Sequence, residues 1–321
     1  MTPIMRWILA VVVAAAALAA PALVHAQTRP LRIILPFPPG GGSDILLRLL
    51  TPSMSQQLGQ PIMVDNRPGG DGIIAADLAA KSAPDGNTVY FGTGTSMVAT
   101  HVLRRQTVPY DPFKDFTPVA NLGRFTLVMV AAPGVPVKGL ADFIEYVRAR
   151  PGKLNYASSH STARLAVIQF MAQYKLDLLH VPYKGDAAAT LDLLGDRVHM
   201  MFLTAAAARG MVKEGKLQAL MVLRDTRSPA LPDTPTSKET GTRINVAPWA
   251  GLFGPANMPA ATVDRINQAL KVAVAAKEVR DQMEQLGFEP AISTPAEMAA
   301  IHRDEYEVFR KAVQEDGIHF D

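Results

Sequence analysis

Short apolar runs of strand length alternate with stretches of helical periodicity along most of this chain, and that alternation confines it to α/β folds. The first three runs fall at 31–37, 62–66 and 88–92, separated by helical patterns predicted over 43–58 and 72–82. Near-continuous apolar runs of this kind suit parallel strands buried on both faces. The pattern continues with strands predicted at 126–132, 153–157, 178–183, 197–203 and 217–223. Helices are expected at 140–150, 162–174 and 186–194, with another ending at Gly215. A Pro-rich loop at 228–235 precedes a last apolar run at 249–253, and the tail reads as helix throughout, over 260–277, 279–286 and 295–315. A strandless tail cannot build an α/β unit alone, so it is expected to pack back on the first one. The chain then crosses between two lobes twice, giving expected bounds of 27–125 with 250–321 for one lobe and 126–249 for the other. Paired crossovers make a hinge.

The first 26 residues stand apart from this pattern. One positive charge at Arg6 precedes an unbroken apolar run, 7–20, and Val24-His25-Ala26 puts small residues at the positions an export peptidase reads. Pro21 interrupts the run and Ala dominates it, which leaves it short for a membrane span. Residues 1–26 are therefore expected to be a secretory signal peptide, cleaved near Ala26. The remaining chain, about 300 residues, suits two domains at roughly 150 each.

Of 321 residues, 48% are hydrophobic and 19% charged, enough apolar material for a packed core. Lys plus Arg number 32 and Asp plus Glu 29, a net charge of +3, which offers no electrostatic footprint for nucleic acid. There is no cysteine. That excludes a disulfide framework, thiolate-held zinc or iron–sulfur, a thiol nucleophile and a lipid anchor on an N-terminal cysteine.

The sharpest local feature is Pro36-Phe37-Pro38-Pro39-Gly40-Gly41-Gly42-Ser43-Asp44, between the first strand and the first helix. Glycines there admit close backbone approach, and a helix start offers unpaired N–H groups and the positive end of a dipole, a seat for a carboxylate or phosphate. The loop lacks the Lys-Ser or Lys-Thr of a P-loop, and Ile45 stands where the third glycine of G-x-G-x-x-G belongs, so nucleotides are disfavoured. Asp44, an anion, is expected to cap the helix or hold a water rather than meet a carboxylate.

Three further loops share this character: Asp65-Asn66-Arg67-Pro68-Gly69-Gly70-Asp71-Gly72, Thr93-Gly94-Thr95-Ser96 and Ser158-Ser159-His160-Ser161-Thr162. All follow predicted strands, where open α/β sheets place ligands. Catalytic patterns are absent: there is no G-x-S-x-G elbow, no H-E-x-x-H and no His pair at i, i+4, so neither catalytic nor metal-ligating residues nor a cofactor are expected. A second reading, an exported α/β enzyme acting on a carboxylate, would use Asp44, Asp71 or Lys184 as acid or base. A third, a ligand-sensing partner of a membrane receptor, would use the same loops.

In its Pro36–Asp44 loop with Arg48, Asn66-Arg67-Pro68-Gly69, Tyr110-Asp111-Pro112 with Asp115-Phe116-Thr117-Pro118-Val119, and Val181-Pro182-Tyr183-Lys184-Gly185 with Asp192-Leu193-Leu194-Gly195, the chain resembles a known family. Leu231-Pro232-Asp233-Thr234-Pro235-Thr236 and Trp249-Ala250-Gly251-Leu252-Phe253-Gly254-Pro255 extend the likeness over essentially the whole mature chain. The family is the periplasmic substrate-binding proteins of tripartite tricarboxylate transporters, or Bordetella uptake gene family. The resemblance implies a two-lobed periplasmic-binding-protein-like fold, each lobe a mainly parallel sheet flanked by helices, with a ligand cleft between them. It implies a periplasmic monomer without catalysis that captures a small organic mono- or dicarboxylate and delivers it to membrane permease subunits.

Candidate contacts, from the loops and the resemblance together, are Phe37, Pro39, Gly40, Gly41, Ser43, Asp44, Gly69 and Gly70, with Thr93 and Thr95, on one lobe. Ser158, Ser159, His160, Thr162, Arg164 and Tyr183 face them from the other. Two departures from the family pattern bear on specificity. A shortened turn ends in Arg164-Leu165, and Leu203 stands where many members carry Asp. Arg164 is expected to bring a guanidinium near the ligand, favouring a second carboxylate or an aromatic acid.

Overall fold

The computed structural model describes residues 29–103, 108–244, 246 and 248–316; the expected leader lies outside them. In strand β1 (Leu31–Leu35), Leu31, Ile33 and Leu35 pack into one core and Ile34 into another, so both faces are covered. Helix α1 (Gly42–Leu58) supplies Leu46, Leu47 and Leu50 to the first face. Helix α2 (Ile73–Ala80) supplies Ala75, Ala76 and Ala79 to the second. Strands β2 (Ile62–Asn66) and β3 (Thr88–Thr93) lie parallel to β1 on either side. This is the parallel βαβ arrangement that the apolar runs predicted.

After β3 the chain turns through residues 95–99 into a one-turn helix, α3 (Thr100–Leu103), and then enters β4 (Phe116–Phe125). A single residue, Thr126, separates β4 from β5 (Leu127–Ala131), which belongs to a second sheet. That sheet is completed by β6 (Asn155–Ser158), β7 (Leu179–Pro182), β8 (Met200–Thr204) and β9 (Gln218–Val222), in the order β7-β6-β8-β5-β9. Helices α4 (Leu140–Arg148), α5 (Ser161–Tyr174), α6 (Asp186–Leu194) and α7 (Ala205–Lys213) connect its strands. The chain returns to the first sheet in β10 (Trp249–Pro255), which inserts between β3 and β4.

The fold is α/β and two-lobed, with one correction. The sheets are mixed rather than mainly parallel: β10 is antiparallel to β3 and β4, and β5 to β8 and β9. The cause is the double crossing. A strand that leaves a lobe and a neighbouring strand that re-enters it must run in opposite directions.

The tail packs against the first sheet and its helices. Helix α8 (Ala260–Ala275) buries Ile266 and Leu270 in the core shared with α1, followed by α9 (Lys277–Gln285) and α10 (Pro295–Asp316). It is not strandless, however: β11 (Phe288–Pro290) pairs antiparallel with β4 at the sheet edge. Neither strand was predicted, because Pro118 and Gly123 interrupt the β4 pattern and β11 spans only three residues. The β4–β10 ladder absorbs the interruptions through two register shifts. Among the described residues no helix is long and apolar enough to cross a membrane.

At Gly123 the backbone has φ 136°, and a Cβ there would lie 1.9 Å from the Glu289 carbonyl oxygen of β11. Only glycine lets these two strands meet. Gly123→Ala is expected to lose roughly 3 kcal/mol or more, combining backbone strain with the clash. Urea unfolding measures it, and an unchanged midpoint would disprove the account.

Candidate ligand-binding cleft

The proline–glycine loop is held by one carboxylate. Asp44, 3% exposed, accepts the Gly40 amide at 3.0 Å and Arg48 Nε at 2.9 Å through Oδ2. Its Oδ1 accepts Asn66 Nδ2 at 3.0 Å, and the same Asn66 nitrogen donates to the Phe37 carbonyl at 2.9 Å. Burial acts against the Asp44 carboxylate, but these hydrogen bonds outweigh it and hold its pKa below the usual carboxylate range. Asp44 thus caps nothing. It folds the loop back on α1, with Gly40 at φ 82°, and leaves Gly41 as an N-cap without a side-chain hydrogen bond.

The second loop serves a different purpose from the one expected. Gly69 and Gly70 do not line the cleft. Positive φ angles at Gly69, Gly70, Asp71 and Gly72 turn the chain so that Asp71 Oδ2 accepts Ser161 Oγ of the other lobe at 2.6 Å. A second bridge joins Thr95 Oγ1 and Thr162 Oγ1 at 2.8 Å, and Phe37 meets His160 edge-to-face across the gap. The lobes are in direct contact here.

Thr95 starts a π-turn, Thr95–Ala99, whose carbonyls are taken by side chains. Thr100 Oγ1 donates to the Thr95 and Ser96 carbonyls, Tyr110 Oη to the Ser96 carbonyl at 2.5 Å, and His302 Nε2 lies 3.0 Å from the Met97 carbonyl oxygen. The Tyr-Asp-Pro motif and the last helix therefore brace a cleft wall from behind.

Between the lobes lies a cavity of about 430 Å³. Phe37, Pro39, Gly40, Gly41 and Ser43 line it from the first loop, and Thr93 and Thr95 from the third. Ser159, His160 and Thr162 line it from the second lobe. Four helices, α1, α5, α6 and α7, begin at this cavity, and α6, like α1, has a glycine N-cap, Gly185, with no side-chain hydrogen bond. Helix starts carry unpaired N–H groups and partial positive charge. Thr93 borders the cavity, and its buried Oγ1 has no hydrogen-bond partner among the described residues. The described residues lining the cavity include no Lys or Arg, and among the described residues no group of three His, Asp or Glu is placed to hold a metal ion.

The remaining candidates are turned away. Ser158 Oγ is 2.7 Å from His180 Nε2, and Tyr183 donates to Asp192 at 2.6 Å, where burial and that carboxylate push its pKa up to about 12. Arg164 hydrogen-bonds Tyr156 and, after burial itself, helps lower the His180 pKa to about 4. It does not line the cavity, so the expected guanidinium is missing from the ligand face. Leu203 is fully buried in the second lobe's core and does not line the cavity.

Sequence reasoning missed an apolar wall made by α6 (Ala187, Leu191, Leu194), α7 (Ala207, Met211) and the crossings (Phe125, Leu127, Pro248, Trp249). One signal was available. Helix α6 packs Ala189 and Leu193 into the core yet carries Leu191 and Leu194 on another face, and apolar residues on two faces imply two apolar neighbours.

Comparison with known proteins agrees with this architecture. The family model "Tripartite tricarboxylate transporter family receptor" matches residues 46–318, and the chain belongs to that family. It is 32% identical over 316 residues to Protein BugT of Bordetella pertussis, covering 97% of this chain and 96% of that one. The structure of Rpa4515 from R. palustris with adipate superposes with a TM-score of 0.87 at 31% identity, covering 92% of this chain and 99% of that one. MatC from Rhodopseudomonas palustris with bound malate gives 0.81 at 31% identity, over 89% and 99%.

His302 yields a pH prediction. It is 2% exposed, and burial chiefly, with His101 and Arg303 adding to it, lowers its pKa to about 4. The unfolded chain takes up a proton near pH 6.5 that the folded chain refuses, so stability is full above that value and falls between pH 6.5 and 4, by on the order of 3 kcal/mol from this group. Urea unfolding at pH 7 and 4.5 should show a smaller loss in His302→Gln than in the parent. Equal losses would exclude His302 as the source.

Proposed function

We propose that the protein is the solute receptor of a tripartite tricarboxylate-type transporter, capturing a small organic carboxylate between closing lobes and passing it to permease subunits. The observation that carries this reading is the convergence of four helix starts, two of them glycine-capped, on a cavity with an unpartnered buried threonine. That environment suits an anion bound through backbone and hydroxyl donors, with bridging waters where the fit is loose. Bound malate and adipate in two relatives support the same ligand class.

In this reading the two bodies are 27–125 with 250–321, and 126–249. They move about the crossings at Thr126 and Pro248, and the Asp71–Ser161 and Thr95–Thr162 bridges hold the closed state. The leader is cleaved near Ala26, and the mature chain acts as a periplasmic monomer without turnover. The groups an enzyme would use support the binding reading instead. Asp44 is committed to Arg48, Asp71 bonds Ser161, and His160 Nδ1 accepts the Ala163 amide rather than serving Ser159. Lys184 is exposed and does not line the cavity.

A thermal-shift screen of mono-, di- and tricarboxylates and aromatic acids on the mature chain tests this. A ligand at 100 times its Kd adds about 2.7 kcal/mol, visible as a raised midpoint. The expected result is a shift with at least one acid and no change in that acid's NMR spectrum on prolonged incubation. No shift with any acid, or consumption of the acid bound, would refute the proposal.

A further inference from the structure

The cavity has two chemically distinct ends. Its polar end is the meeting of the Gly40–Ser43 backbone, Thr93, Thr95 and the start of α5. Helices α6 and α7 both begin there. Asp186, the first residue of α6, accepts Ser159 Oγ, and a Cβ on Gly42 would lie 2.6 Å from Oγ1 of Thr204, the N-cap of α7. Both helices then run away from the polar end.

Along α6, Ala187, Thr190, Leu191 and Leu194 fall at i, i+3, i+4 and i+7, one face of a helix, and all border the cavity. From Ala187 to Leu194 this face extends about 10 Å. Ala207 and Met211 form a matching i, i+4 pair on α7, and Trp249 borders the same space. Leu191 is 69% exposed, the most exposed large hydrophobic side chain among the described residues. With Ala187, Leu194, Ala207, Met211 and Trp249 it makes the cavity's far end a contiguous apolar surface, which suits an apolar ligand body.

No Lys or Arg is among the described residues lining this wall. Arg48 is engaged with Asp44, Arg164 with Tyr156 and Arg224 with Glu289. Asp186 is the acidic residue among those lining the cavity. A second carboxylate lodged along α6 would lie against Ala187, Leu191 and Leu194 and give up part of its hydration without gaining a counter-charge.

Resting on the receptor reading above, we infer that the ligand is a monocarboxylate with an extended apolar body. Its carboxylate sits at the helix starts and its body lies along the α6–α7 wall, so that dicarboxylates of the same length are rejected. This separates the chain from its relatives in complex with malate and adipate.

Calorimetric titration of the mature chain with octanoate and with suberate, the eight-carbon diacid, decides it. Octanoate is expected to bind at least about tenfold more tightly, because suberate buries an unpaired charge. Leu191→Lys, at an exposed position and so tolerated by the fold, should narrow or reverse that ratio by supplying the missing cation.

Equal or tighter binding of suberate by the parent overturns the inference and leaves the receptor reading intact. A ratio unmoved in Leu191→Lys overturns the placement along α6. If neither acid binds while another carboxylate raises the midpoint in the screen, this inference alone falls; if no carboxylate does, both fall.

Discussion

An anion site without Lys or Arg among its described lining residues depends on backbone geometry, and here that geometry depends on Asp44. Its two oxygens collect the Gly40 amide, Arg48 and Asn66, and Asn66 also fixes the Phe37 carbonyl. The one carboxylate therefore shapes a loop from 37 to 44 and ties it to the end of β2. Because the acid spends its charge on Arg48 and these donors, it leaves the neighbouring glycine amides free of a competing side-chain cap at Gly41. A buried, fully engaged acid is how a positive helix end is kept open for a negative ligand.

The second constraint is topological. The chain passes from β4 to β5 through one residue, Thr126, whose N–H donates to the Gly287 carbonyl and whose carbonyl accepts the Ala205 amide. The start of α7 and the turn before β11 are therefore joined at the crossing, and β10 returns beside β4 in the opposite sense. The same crossings contribute Phe125, Leu127, Pro248 and Trp249 to the cavity. The residues at the two crossings and those at the apolar end of the cavity are thus one set.

How far the sequence disclosed this follows from what each feature rests on. The βαβ order, the closing tail and the glycine loop rest on local pattern: apolar period, turn residues and a helix start within a few positions. Strands β4 and β11 rest on non-local pairing, with Pro118 and Gly123 tolerated only because β10 and β11 accommodate them, so no local rule reveals them. The site divides the same way. Ser43, Thr95, Ser159 and Thr162 reach the cavity because they sit at strand-to-helix junctions, which sequence marks. Arg164 lies two residues past Thr162 on the same helix, yet α5 turns it toward Tyr156 and His180. Two residues of helix rotate a side chain by roughly 200°, enough to move it from ligand to core face.

This division separates capture from choice. The polar end is made of backbone amides and a few hydroxyls at strand-to-helix junctions, held in place by the Asp44 hub. The far end is made of side chains on helix faces already anchored to the core through Ala189, Leu193 and Ala208. Leu191 can change without disturbing those anchors, because it lies on the opposite face of α6, whereas Met211 lines the cavity and also packs against the core. In the inferred binding mode, such a fold keeps one carboxylate seat and varies the ligand body by substitutions on the cavity-facing sides of α6 and α7. The position that would then decide between one carboxylate and two is a helix residue that composition and motif reading assign to ordinary packing.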